Sequence, residues 1–316
     1  MGDLQAKPTR DGFGEELLNL GYENENIIVL SADVEDSTRA EYFKKKFPNR
    51  FYNVGIAEQN LVGISAGLAK EGFTVFATSF AVFLTNRAYD FIRISVCYNN
   101  LNVKLCASHA GLMIGEDGAT AQSLEDISIM SVLPNMRVVC PVDYIETKKI
   151  TRYIAKEFGP FYMRLGRTPY PIVTSESDVF EFGKGRVLME GEDLTIISYG
   201  VTVSESLKAS EELRKEGISA RVINMSTIKP FDEEIVLKSA EETGAIMVVE
   251  EHEVINGLGS MIARFLATKK PIPMEFVGVN DEFGVSGKPY ELLERFGLDY
   301  KSIKEVAKRL IKRKKS

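Results

Sequence analysis

The chain has 316 residues, enough for one large or two ordinary domains. Hydrophobic residues make up 44% and charged residues 27%, with a net charge of −6; this globular composition argues against a nucleic-acid or anionic-membrane surface as the main partner. No run reaches the roughly 18 apolar residues of a membrane span, and residues 1–7 carry neither an apolar signal core nor an acylation motif, so a cytoplasmic location is expected.

From residue 12 onward, amphipathic stretches alternate with short β-branched runs. Strands are predicted at 27–31, 74–77, 103–108, 137–139 and 161–164, and helices at 12–22, 37–47, 57–71, 82–96, 124–132 and 143–156. That order predicts an α/β fold, a doubly wound and mostly parallel sheet with helices on both faces. Ligands in such sheets bind beyond the carboxyl ends of the strands. Residues 167–191 are rich in Pro, Gly, Ser and charge, and a linker is placed at 176–190. It divides a first domain, 1–175, from a second, 191–316. The second repeats the α/β pattern with strands at 194–198, 220–224, 245–250 and 274–279, and helices near 202–216, 231–241 and 257–268. The basic stretch 308–315 reads as a solvated helix end that complements its own dipole.

Cys97, Cys106 and Cys140 each sit beside apolar residues, as buried reduced thiols do. The only histidines are His109 and His252, so no Cys/His metal spacing exists and no metal site is expected from this chain alone.

One carboxyl stands out. Glu58 lies in Asn53-Val-Gly-Ile-Ala-Glu-Gln-Asn60, immediately before a helix of small and apolar residues. A carboxyl there is poorly solvated and disposed to hold or share a proton near neutral pH; the plain alternative is a helix-start carboxylate complementing the macrodipole. Other polar residues fall where strands are expected to end: Asp33, His109, the loop Gly115-Glu-Asp117-Gly118, and Arg164. Together they would converge on one rim of the first sheet.

This joint pattern resembles the carboxyl-terminal portion of transketolase, over about residues 9–300. Ser226-Thr-Ile-Lys-Pro-Phe-Asp232 and Val249-Glu-Glu-His252, with Gly257-Leu-Gly-Ser260, resemble the terminal domain shared by transketolase and deoxyxylulose-phosphate synthase. The resemblance implies a pyrimidine-binding domain followed by a transketolase C-terminal domain, and thiamine diphosphate as cofactor. In that family a glutamate, matched here by Glu58, drives the tautomer of the cofactor's pyrimidine. Thr78-Ser79-Phe80-Ala81-Val82-Phe83 matches the aromatic platform, with Phe83 the stacking residue and Phe80 nearby. Asp33 would lie near cofactor and sugar hydroxyls. Arg10, Ser37 and Arg164 would contact the substrate phosphate, and His109 and Asp117 the sugar oxygens, with His109 as hydrogen-bond donor or proton shuttle.

The pattern departs from the family at two histidines, here Gln59 and Ala121. Gln59 keeps a hydrogen-bond donor and Ala121 does not, which points to a changed donor sugar, a slower enzyme or a non-catalytic paralogue. The Gly-Asp-Gly motif that holds Mg²⁺ and diphosphate is absent. The resemblance therefore implies a separate N-terminal subunit, a heterotetramer of two copies of each chain, and inactivity of this chain alone. The expected reaction is transfer of a two-carbon ketol unit between sugar phosphates of the pentose phosphate pathway. Alternatives are a deoxyxylulose-phosphate synthase-like protein, a 2-oxoacid dehydrogenase β-subunit, or a transketolase for a modified sugar; the paired arginines and Ser37 favour a phosphorylated sugar over a plain oxoacid.

Overall fold

The computed structural model describes residues 5–315. Residues 1–4, part of the N-terminal stretch read above, and Ser316 lie outside the described residues. The first half contains β1 (Ala6–Pro8), α1 (Thr9–Glu23), β2 (Ile27–Ser31), α2 (Glu41–Lys46), β3 (Phe51–Asn53), α3 (Glu58–Lys70), β4 (Thr74–Phe80), α4 (Tyr89–Phe91), β5 (Val103–Ser108), α5 (Asp126–Ser131), β6 (Arg137–Val139), α6 (Tyr144–Lys156), β7 (Phe161–Arg164) and β8 (Pro169–Pro171). The second half contains β9 (Arg186–Met189), β10 (Leu194–Ser198), α7 (Thr202–Lys215), β11 (Ala220–Asn224), β12 (Thr227–Lys229), α8 (Glu233–Thr243), β13 (Ile246–Glu253), α9 (Leu258–Lys269), β14 (Met274–Val279), α10 (Pro289–Arg295) and α11 (Tyr300–Lys315).

Two large sheets result. The first has the order β12-β6-β7-β5-β4-β2-β3, and the second β14-β13-β10-β11-β9. Strands β2 to β7 pair in parallel, as do β10, β11, β13 and β14. The α/β expectation therefore holds. The runs β2, β5, β7 and β10 are buried at every position, as strands covered on both faces must be. A small antiparallel clasp, β1 with β8, ties the two ends of the first half together.

Three features differ from the sequence expectation. The predicted helix 82–96 is broken into wide helical turns at Phe83–Arg87 and Ile92–Tyr98, with α4 between them. The carboxyl end of the predicted linker is an edge strand: β9 pairs antiparallel with β11. Most consequentially, β12 leaves the second half and pairs antiparallel with β6 of the first sheet. These strands have three or four residues each, too few for any periodicity to show. The basic stretch is a helix end, as expected: Arg309, Lys312, Arg313 and Lys314 are exposed, while α11 anchors itself through buried Ile303, Ala307 and Leu310 at helical spacing.

Local chemistry explains the helix starts near the site. Asp143 caps α6 by accepting from the Glu146 amide at 2.9 Å, and Asp232 caps α8 through the Glu234 and Ile235 amides. α1 crosses α6 closely because Gly12 has no side chain; a Cβ there would come within 2.6 Å of the Tyr144 carbonyl oxygen. That packing fixes Arg10, two residues earlier in the first turn of α1, over the carboxyl edge of the sheet.

Candidate functional site

The carboxyl ends of β2, β4, β5 and β7 and the start of α3 meet on one rim. Two residues there, Asp33 after β2 and His109 after β5, have left-handed backbones with φ of 62° and 61°. Such a conformation is uncommon outside glycine, although Asp and His tolerate it better than most residues, and strain of this kind clusters at binding sites.

An aromatic stack forms the centre. His109 lies on Phe80 with ring centroids 3.8 Å apart, and Phe80 lies on Phe83 at 5.8 Å, with interplanar angles of 15° and 12°. Beside it, Glu58 occupies the first position of α3 and is 4% exposed. Its surroundings are less apolar than the sequence suggests. Ser79 Oγ donates to Glu58 Oε1 at 3.5 Å, and Arg87 Nη1 donates to Oε2 at 3.4 Å.

At the other end of the stack the environment is cationic. Arg10 donates from Nη1 to the Ser37 carbonyl oxygen at 2.9 Å and to His109 Nε2 at 3.4 Å. Arginine has no acceptor, so Nε2 of His109 carries the lone pair and Nδ1–H donates to Ser108 Oγ at 2.9 Å. Burial, then Arg10, Arg167 and Arg39, pushes the His109 pKa down to about 3. The imidazole is neutral at physiological pH. In this arrangement the ring is an acceptor toward Arg10, and its one N–H is committed to Ser108. Arg10 has its own pKa lowered, by burial first and then by Arg39, and its Nε is buried without a partner. No carboxylate pairs with its guanidinium among the described contacts, whereas Arg39 is held by Asp11 at 2.6 Å. An anion would satisfy this cluster.

Asp33 is exposed at the rim and accepts from Asn53 Nδ2 at 2.8 Å. Asp117 is also exposed and pairs with Arg167 at 3.4 Å. Ala121 is buried and carries no polar group into the loop, while its neighbour Gln122 donates to the Leu112 and Val285 carbonyls, pinning that loop to the second domain.

Arg164 ends β7 at this rim, but its side chain turns into the interior, which corrects the sequence assignment. It is 3% exposed, donates from Nε to Asp126 Oδ2 at 3.0 Å and from Nη1 to Glu251 Oε2 at 3.3 Å, and its Nη2 donates to the Ser123 and Glu251 carbonyls. Strand alternation is the reason: Arg164 shares a face of β7 with Tyr162, whose hydroxyl donates to the same Asp126 oxygen. Burial opposes the Arg164 charge, but Asp126 and Glu251 outweigh it and hold the pKa well above the ordinary value. With four of its five N–H groups engaged and the side chain buried, Arg164 is not presented to a phosphate at the surface. Arg167, three residues on, is 38% exposed and lies near His109 instead. It donates to the Ile114 carbonyl at 3.1 Å and is among the cations that depress the His109 pKa. A residue one loop past the strand end, rather than inside the strand, was the signal available in Arg164-Leu-Gly-Arg167.

Phe80, Phe83 and Glu58 thus offer a flat apolar platform with one buried carboxyl at its side, which fits a planar nitrogen heterocycle. Among the described residues no three His, Cys, Asp or Glu side chains are grouped to hold a metal, and no helix is long and apolar enough to cross a membrane.

The transketolase pyrimidine-binding domain matches residues 5–173 and the transketolase C-terminal domain residues 183–303. A protein of Methanocaldococcus jannaschii, provisionally named a transketolase C-terminal section, is 48% identical over 98% of this chain and 97% of its own length. A 6-deoxy-6-sulfo-D-fructose transketolase subunit of Clostridium sp. (strain MSTE9) is 41% identical over 98% and 97%. A solved split-gene transketolase, an inactive β4 tetramer, superposes with a TM-score of 0.90 at 46% identity, covering 96% of this chain and 98% of that one.

Proposed function

The chain belongs to the transketolase family, spanning its pyrimidine-binding and C-terminal domains, and from that premise we propose that it is the C-terminal subunit of a split, thiamine-diphosphate-dependent transketolase. The observation that carries this reading is the single continuous stack. A buried carboxyl flanks one end, and an arginine cluster without a carboxylate for Arg10 lies at the other.

When bound, thiamine diphosphate supplies the nucleophilic carbon. Glu58 would hold the cofactor's pyrimidine through a proton shared with its carboxyl, and Phe83, backed by Phe80, would carry the ring. Both groups keep water from the carboxyl, which strengthens that contact. Arg10, Ser37 and Arg167 bind the anionic end of a sugar phosphate, for which two guanidinium groups and a hydroxyl are apt donors. Asp117 orients Arg167 through their ion pair, His109 accepts at Nε2, and Asp33 faces the sugar from the rim. Mg²⁺ and the diphosphate are held by a separate N-terminal subunit, in a cytoplasmic heterotetramer that moves two-carbon ketol units in the pentose phosphate pathway. The inactivity of the similar β4 tetramer supports a subunit that needs its partner.

A second reading has a specific support. The 41% identical relative is named for a sulfonated sugar, and the arginine cluster would accept a sulfonate as readily as a phosphate. Ala121 leaves that side of the donor pocket without a hydrogen-bonding group. Donor profiling of the reconstituted pair separates the two readings. The shared premise is tested by Glu58→Gln, which should lower kcat at least ~100-fold in that pair. Unchanged turnover, or robust turnover by the purified chain alone, would refute it.

A further inference from the structure

Arg87 has an unusual pair of neighbours. Its side chain is 54% exposed, free to extend into water. Instead it turns inward. Nη1 lies 3.4 Å from Glu58 Oε2, and the guanidinium carbon lies 4.4 Å from the centroid of the Phe83 ring. Phe83 and Arg87 open and close one wide helical turn, Phe83–Arg87, which sets both beside the amino end of α3.

These are the two groups to which the proposed function gives the cofactor's pyrimidine. A guanidinium offers the same two contacts as an aminopyrimidine: N–H donors along its edge for a carboxylate, and a flat face for an aromatic ring. We propose that Arg87 occupies the pyrimidine subsite of the unpartnered chain and must swing out before the ring enters.

The inference rests on the proposed function and adds a gate to it. Glu58 is almost wholly buried, and a buried carboxylate stripped of its partner is costly, so the contact with Arg87 stabilises it. The contact is nevertheless displaceable. At 3.4 Å it is long for a charged hydrogen bond, and water screens the outer half of the side chain. The apparent affinity of any ligand for the subsite is its intrinsic affinity multiplied by the fraction of molecules in which Arg87 has left.

The test uses the full chain with 4-amino-2,5-dimethylpyrimidine as probe, followed by ligand-observed NMR and calorimetry. Arg87→Ala should bind the probe ~3–5-fold more tightly than the wild type, the worth of one exposed cation–π contact. Adding Glu58→Ala or Phe83→Ala to that variant should abolish the gain. Arg87→Gln, which keeps a donor for Glu58, serves if the alanine variant does not fold, and should show the same direction. Binding no tighter than wild type, or none detectable, overturns the gate. A gain that survives Glu58→Ala and Phe83→Ala overturns it too, and in that case the assignment of Glu58 and Phe83 falls with it.

Discussion

Glu146 is the most exposed to quantitative test of the buried carboxyls. It lies in the first turn of α6 at the junction of the two domains. Oε2 accepts from the Val142 amide at 2.7 Å, and Oε1 accepts from Asn224 Nδ2 at 2.9 Å, across from β11. Burial raises its pKa to about 7 from 4.5, offset in part by those hydrogen bonds and reinforced by Asp143. Between these values the unfolded chain gives up its proton before the folded chain does. Folding stability therefore falls as pH rises through the window, by about 1.4 kcal/mol per unit and about 3 kcal/mol in all. Glu146→Gln removes the titration. The amide can donate to Asn224 Oδ1, now buried without a partner, once the Asn224 side chain turns over. Urea unfolding at fixed ionic strength should show wild type and variant with similar offsets near pH 5. The variant should then gain about 3 kcal/mol relative to wild type by pH 8. Contributions from other groups cancel in the difference, including the opposite slope from His109. A wild-type-minus-variant difference that stays constant from pH 5 to 8 would refute the reasoning.

Two further substitutions separate the two arginines that the sequence confuses. Arg164→Met leaves Asp126 and Glu251 buried without their cation and should destabilise the chain by about 3–5 kcal/mol in denaturant unfolding; a loss under about 1 kcal/mol would mean the ion pair is not buried in solution. Arg167→Ala should change stability by less than about 0.5 kcal/mol. In the reconstituted pair it should raise KM for phosphorylated substrates by roughly tenfold or more, with little change in kcat, as loss of a charged hydrogen bond to phosphate would. The opposite pattern, an intact fold with raised KM for Arg164→Met and none for Arg167→Ala, would restore the sequence assignment.

The two α/β units were legible because their central strands are buried on both faces and so appear as unbroken apolar runs, as at 27–31 and 194–198. The stack was legible in part: Phe80, Phe83 and Glu58 are fixed by one sheet edge and one helix start, both local features. Arg164 was misread because a strand end does not reveal which face its last side chain takes. That depends on Asp126 and Glu251, 38 and 87 residues away. The neutral state of His109 was equally out of reach, since it needs burial plus three arginines from three different segments. Arg87 could not be singled out either, because its contact depends on how a broken helix turns.

The strand β12 changes what counts as a module in this chain. It belongs to the second half by sequence and to the first sheet by hydrogen bonding, and the Cys140 amide donating to the Ser226 carbonyl at 2.8 Å extends the seam. Cutting the chain at the 176–190 stretch would thus tear a strand from the edge of the first sheet and expose the backbone of β6, an invitation to aggregation. The two halves should open as one cooperative unit in native-state hydrogen exchange, with the β6 and β12 amides sharing a single opening energy.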